Sequence, residues 1–181
     1  MTLGRWVPTY DIRSRHEQQV AAAPADVRAA IAAGRVPPGA IGRALMRLRG
    51  LPRAERSSRG LIARMEGIGF VLLETTEAGW VLGAVGRFWR PVPALERPTP
   101  EEFRSWSEPG YAKLATTIEA LPAEGGTRLV TETRVVGVGR KARWLMRAYW
   151  TLIGPFSDLI RRELLEGTRR VCETAEAGRQ T

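Results

Sequence analysis

The hydrophobic period changes near residue 140, and that change constrains the fold more than any other feature. From Lys141 to about Ala177 apolar residues recur at intervals of three, four or seven: Leu145, Tyr149, Leu152, Phe156, Ile160, Leu164 and Val171. This spacing predicts one long amphipathic helix with an apolar stripe. Pro155 falls inside it. Proline lacks a backbone donor and clashes with the carbonyl four residues earlier, so it bends a helix or ends it. The stripe keeps its phase across Pro155, which predicts a single kinked helix. A stripe this long needs a broad apolar partner, and only a sheet formed upstream is large enough.

Upstream the dominant period is two. Tyr10–Val20 reads as a strand with Ile12, His16 and Val20 on one face and Arg13, Arg15, Glu17 and Gln19 on the other. APADVRAAIAAG follows, with Pro24 suited to a helix entry, Asp26 in its first turn and Gly34 at its end. After the PPG turn at 37–39, a second short helix is expected at 40–50, with Ile41, Leu45 and Leu48 on one side, then a polar loop over 51–58. A short helix at 61–66 stops near Gly67. GFVLLET (69–75) and WVLGAVGRFW (80–89) read as a hairpin. The Pro-rich stretch 90–102 reads as a loop, with Phe103 and Trp106 anchoring a turn or helix. Residues 111–121 and 127–138 form a second hairpin through PAEGG. Leu129, Thr131, Thr133 and Val135 share one of its faces, and Arg128, Glu132 and Arg134 the other.

The order is therefore strand, two short helices, antiparallel strands, long helix, within one domain spanning the 181 residues, its core at about 10–177. A strongly curved sheet cannot lie flush along a straight helix, so space is expected between them. The order and several segments resemble the helix-grip fold of the START-like (SRPBCC) superfamily. These segments are HEQQVAAAPADVRAAI (16–31), GFVLLET with VLGAVGRFW, EPGYAKLATTIEAL (108–121), GGTRLVTETRV (125–135) and YWTLIGPFSDLIRRELL (149–165). That superfamily includes lipid-transfer, pollen-allergen-like and aromatase/cyclase domains, and this chain resembles a bacterial branch of it. The resemblance implies an α+β fold whose curved antiparallel sheet wraps the C-terminal helix and encloses an apolar cavity. It implies a hydrophobic or polyketide-like ligand, and it carries over no catalytic set.

Candidate cavity residues are Phe70, Leu72, Trp80, Leu82, Trp89, Tyr111, Leu114, Trp144, Tyr149 and Phe156, with Thr116, Thr131 and Thr133 as polar anchors. Each of the aromatics also serves as ordinary core filler. An enzymatic alternative, a cyclase or dehydratase, needs an ionisable group in the same cavity, for which His16 and Glu163 are the candidates. His16 is the only histidine and no CxxC occurs, so no metal or other cofactor is expected. Glu74 and Glu132 are further acids, Glu132 on the wet face. Gly137-Val-Gly139-Arg-Lys-Ala142 matches GxGxxA with Asp158 downstream, but that fingerprint needs a parallel strand after its helix. A Gly-containing turn is the plainer expectation, with Arg87 and Trp89 near a cavity mouth.

Charge supplies a third reading. The net charge is +9, and all but two of the 28 basic residues are arginine. Seven arginines and one acid, Glu55, fall between Arg35 and Arg59. That stretch suits anionic lipid or nucleic acid, or simply a solvated face. No recognised nucleic-acid motif accompanies it, so neither partner is favoured. A homodimer is compatible with the sequence. The N-terminal MTLGRWVPTY has no secretory apolar core, the single cysteine, Cys172, excludes an internal disulfide framework, and no apolar run approaches the roughly 20 residues of a membrane span. These features predict a cytoplasmic protein.

Overall fold

The computed structural model describes residues 2–36, 44, 60–91 and 93–178. The expected helix at 40–50, the loop at 51–58 and nearly all of the arginine-rich stretch therefore lie outside the described residues. Arg35 is described, and it is exposed.

The chain forms one antiparallel sheet and one dominant helix. A 3-10 turn at Thr2–Arg5 precedes β1 (Ile12–Val20) and α1 (Pro24–Ala32). Then come α2 (Leu61–Gly67), β2 (Val71–Thr75), β3 (Gly79–Gly86) and the two-residue β4 (Leu95–Glu96). The chain ends with α3 (Pro100–Ser105), β5 (Ala112–Ala123), β6 (Gly126–Gly137) and α4 (Arg140–Ala177). Strand order is β1-β6-β5-β3-β2, with β4 beside β3, and every pairing is antiparallel. This is the α+β helix-grip arrangement. Among the described residues no parallel strand follows β6, so the GxGxxA segment is not a dinucleotide fingerprint. Gly137 ends β6, Gly139 turns the chain at φ 86°, and α4 begins one residue later.

Register assigns the two faces. Ser14, Thr133, Thr116, Leu82 and Leu72 align across five strands. The next row on the same face is His16, Thr131, Ile118 and Trp80; on the other side lies Ile12, Val135, Leu114 and Ala84. This inner face meets α4, which runs unbroken for 38 residues through Pro155. The helix packs on β1 and β6 and only grazes β5. Beside α4 the inner core is completed by α1, which packs on β5 and β6 through Val27 and Ile31, and by α2, which packs on β2 and contributes Leu61, Ile62 and Met65.

The outer face is not simply wet. Leu3, Trp6 and Val7 from the N-terminal turn and Phe103 from α3 bury against Leu73, Val81, Val85 and Ala115 to form a second core. Thr99 caps α3 by accepting from the Glu102 backbone N–H, while the Glu102 carboxylate accepts from the Thr99 N–H. That reciprocal cap stabilises a helix too short to persist alone. Glu132, expected in solvent, is largely covered on this face. Its side chain accepts from Arg13 at 3.1 and 3.0 Å and from Arg134 at 2.9 Å. Burial raises its pKa, but the two arginines outweigh that and hold the carboxyl below its ordinary range.

Candidate functional site

Beneath the middle of α4 the inner face turns polar. Asp158 Oδ1 accepts from Ser14 Oγ at 2.7 Å and lies 3.0 Å from His16 Nε2. A carboxylate has no proton to give, so Nε2 carries the hydrogen and donates to it. Ser14 Oγ also lies 3.1 Å from the same Nε2. Serine and carboxylate thus share one ring nitrogen. A nucleophile relay needs them on opposite nitrogens, so this trio is not a hydrolytic triad. Burial alone would raise the Asp158 pKa. Hydrogen bonds from Ser14 and His16 and the charges of His16 and Arg161 outweigh it, and hold the carboxyl low.

Arg161 sits three residues on, one helical turn along the same side. Its guanidinium donates to Thr133 Oγ1 at 2.8 Å and to Ser157 Oγ at 2.9 Å. Thr133 Oγ1 in turn donates to Thr116 Oγ1 at 2.7 Å. The side chain of Arg161 is 14% exposed, and burial lowers its pKa against the opposing pull of Asp158. Asp158 stands 3.7 Å from Arg161 Nη1, too long for a hydrogen bond, and its Oδ1 already serves two donors. One step along β6, Thr131 Oγ1 is buried with no hydrogen-bond partner. Orphaned polar atoms of this kind are rare and costly in packed interiors.

Around this polar row the inner face is apolar and incompletely covered. Leu82 and Ile118 are buried, whereas Phe70, Leu72, Trp80 and Leu114 keep part of their surface exposed although they point inward. Tyr149 and Trp89 pack with Val135 and Met146 at the start of α4. Phe70, Leu72, Trp80, Leu82, Trp89, Leu114 and Tyr149, with Thr116, Thr131 and Thr133, are the predicted lining residues that share the inner side.

Three predicted lining residues do not. Trp144 is 69% exposed and Phe156 43% exposed, both on the back of α4. The helix presents Ala142, Met146, Gly154, Leu165, Thr168 and Cys172 to the sheet instead. Small residues let the helix approach closely, and a reading weighted towards large side chains misses them. Leu152, placed in the predicted buried stripe, is 68% exposed for the same reason. Tyr111 belongs to the outer core, where its hydroxyl donates to Glu96 and Arg87 lies 4.5 Å over its ring. Glu74 also faces outward, accepting from Trp6 Nε1 at 2.9 Å. Glu163 is half-buried on α4.

Arg161, Asp158 and Ser14 were not singled out as a site by sequence. Their signal is a lapse in the apolar phase of α4 at Ser157, Asp158 and Arg161, positions in register with Met146 and Leu165. Two open clefts of about 360 and 400 Å³ lie on the outer side, the first lined by Arg5, Trp6, Arg104, Lys113 and Arg143. No group of three or more metal-ligating side chains occurs among the described residues.

No family model matches the chain, and no curated protein does. Among solved structures it is similar to a structural-genomics protein of Rhodobacter sphaeroides, at 14% identity and TM-score 0.40, covering 93% of this chain and 96% of that one. A Thermus thermophilus protein gives 13% identity and TM-score 0.35, over 91% and 99% of the two chains. A Chromobacterium violaceum protein gives 15% and 0.33, over 89% and 97%. The fold assignment rests on strand register and not on these overlaps.

Proposed function

We propose that the chain is a START-like (SRPBCC) binding protein. Its ligand is a small, largely apolar molecule carrying one acidic or hydrogen-bond-accepting group, held between the inner face and α4. The observation that carries this reading is Arg161, a largely buried guanidinium whose ion partner Asp158, at 3.7 Å, is beyond hydrogen-bond range, beside the orphaned Thr131 hydroxyl. A core needing only stability has no use for either. An acceptor group on a ligand satisfies both, while Phe70, Leu72, Trp80 and Leu114 cover its apolar body. Burial of that body supplies about 25 cal/mol per Å² before ordering costs. Binding is favoured over catalysis because His16 Nε2 is committed to Asp158.

Native mass spectrometry of protein from its own host should reveal a co-purifying small molecule. A titration comparing a fatty acid with the matching fatty alcohol should favour the acid. Arg161→Met should remove that preference, and Leu114→Trp should abolish uptake of both. Failure to take up any apolar probe, with the fold intact, defeats the proposal.

A further inference from the structure

The back of α4 carries a feature that ligand binding does not use. Trp144, Leu152, Phe156 and Leu159 are 69, 68, 43 and 41% exposed. With Ala148 and Pro155 they recur every three or four residues, so they form one stripe along the outward side of the helix. At 1.5 Å per residue the stripe is roughly 22 Å long. It ends where Arg162, Glu163 and Glu166 take over the same face. Single exposed apolar side chains are ordinary, but a continuous row containing tryptophan and phenylalanine marks an interaction surface.

Charge around the row identifies what covers it. Residues 140–170 hold eight basic side chains and three acids, Asp158, Glu163 and Glu166, the last paired with Arg169 and Arg170. Asp158 is turned to Ser14 and His16, and Arg161 is buried. Arg140, Lys141 and Arg162 are exposed beside the stripe, whereas Arg143 and Arg147 are exposed but turn towards the end of β6. Asp11 offsets part of this, 3.0 Å from Arg147 and 3.8 Å from Arg143. A second copy fits poorly. Apposing two such helices brings like charges together, and four large side chains fall well short of the ~800 Å² per partner that a stable dimer buries. A bilayer needs no shape match, only apolar side chains to enter the acyl boundary and cations to meet anionic headgroups.

We infer that α4 docks the protein, lying flat, on an anionic membrane surface through Trp144, Leu152, Phe156 and Leu159. This is attachment and not insertion: among the described residues no helix is long and apolar enough to cross a membrane. The docked stripe is distinct from the arginine-rich 35–59 stretch and does not depend on the ligand reading.

Co-sedimentation of the full chain with phosphatidylcholine vesicles, with and without phosphatidylserine, tests it. Binding is expected to be at least about tenfold tighter with phosphatidylserine and to weaken with salt. The double change Leu152→Glu and Phe156→Glu, at exposed positions that leave the fold unchanged by circular dichroism, should reduce binding by about tenfold or more. Arg140→Gln and Lys141→Gln should each weaken it roughly fivefold. Absence of binding to anionic vesicles overturns the inference, as does binding that survives the double change. So does binding lost on replacing Arg43, Arg47 and Arg49 but not on altering the stripe. A wild-type dimer in sedimentation velocity that the double change dissociates assigns the stripe to a second copy and likewise overturns it.

Discussion

Replacing Asp158 with asparagine probes the polar cluster directly. The change preserves shape and one acceptor oxygen but removes the charge. Hydrogen bonds to a charged acceptor contribute about 1.5–3 kcal/mol, against about 0.5–1.5 for neutral pairs, so each bond loses about 1 kcal/mol. Oδ1 accepts two, from Ser14 at 2.7 Å and His16 at 3.0 Å. The Asp158 side chain is 40% exposed, and screening reduces the combined loss. The change also takes a counter-charge from the largely buried Arg161, which adds to the loss. The expected destabilisation at neutral pH is about 1–3 kcal/mol.

Its pH dependence follows from the carboxyl being held below its ordinary range. A group whose folded pKa is depressed contributes stability above its unfolded value, about 3.9 for aspartate, and loses it as pH falls through the folded value. The gap between wild type and Asp158→Asn is therefore full near neutrality and closes below about pH 4. Urea unfolding followed by circular dichroism at about pH 7, 5 and 3 measures it. Equal stability at neutral pH, or a gap that widens on acidification, refutes the reasoning.

Three further outcomes are expected. Phe103→Ala should cost about 3–5 kcal/mol in urea unfolding, because the ring is fully buried and meets Trp6 edge-on at 6.2 Å. Gly79→Ala should prevent folding, since a Cβ there would lie 1.9 Å from the Ile118 carbonyl oxygen of the paired strand; Gly125→Ala, in open space at φ 74°, should cost only about 1–2 kcal/mol. Glu166→Gln should leave the thermal midpoint unchanged: hydrogen bonds from Arg169 and Arg170 hold this carboxyl at about 2, but the group sits at the surface, 34% exposed, and solvent screens it.

The fold was legible because its governing signals are periodic. Alternation in 12–20, 112–123 and 126–137 fixed both the strands and their inward residues, including His16, Thr131 and Thr133. The change to a period near four fixed α4. The N-terminal turn was illegible because Leu3, Trp6 and Val7 span little more than one helical turn, too short for a period to register, and only tertiary contact with Phe103 gives them a role. The inward side of α4 was misjudged because Ala142 and Gly154 contribute little to a hydrophobic pattern, while Trp144 and Phe156 contribute much. The polar cluster joins Ser14 to Asp158 across 144 positions, and no local signal reports such a pairing.

Over its middle turns α4 is reversed relative to a helix that merely fills a core. Gly154, Ser157 and Arg161 face the sheet, while Leu152, Phe156 and Leu159 face away. Exchanging the two sets would bury apolar surface now exposed, worth about 1.5–3 kcal/mol for each large side chain, and would free Arg161 from its desolvation. Stability alone therefore argues against the observed arrangement, and departures of this kind concentrate at functional positions. The reversal has two separable parts. Inside, an unpaired hydroxyl and an under-compensated guanidinium call for acceptors. Outside, an apolar row between arginines calls for a cover that is greasy at its centre and anionic at its rim. One stretch of roughly a dozen residues thus faces both the polar row beneath the helix and the surface above it, so under the proposed readings it is the segment where ligand binding below and attachment above would influence each other.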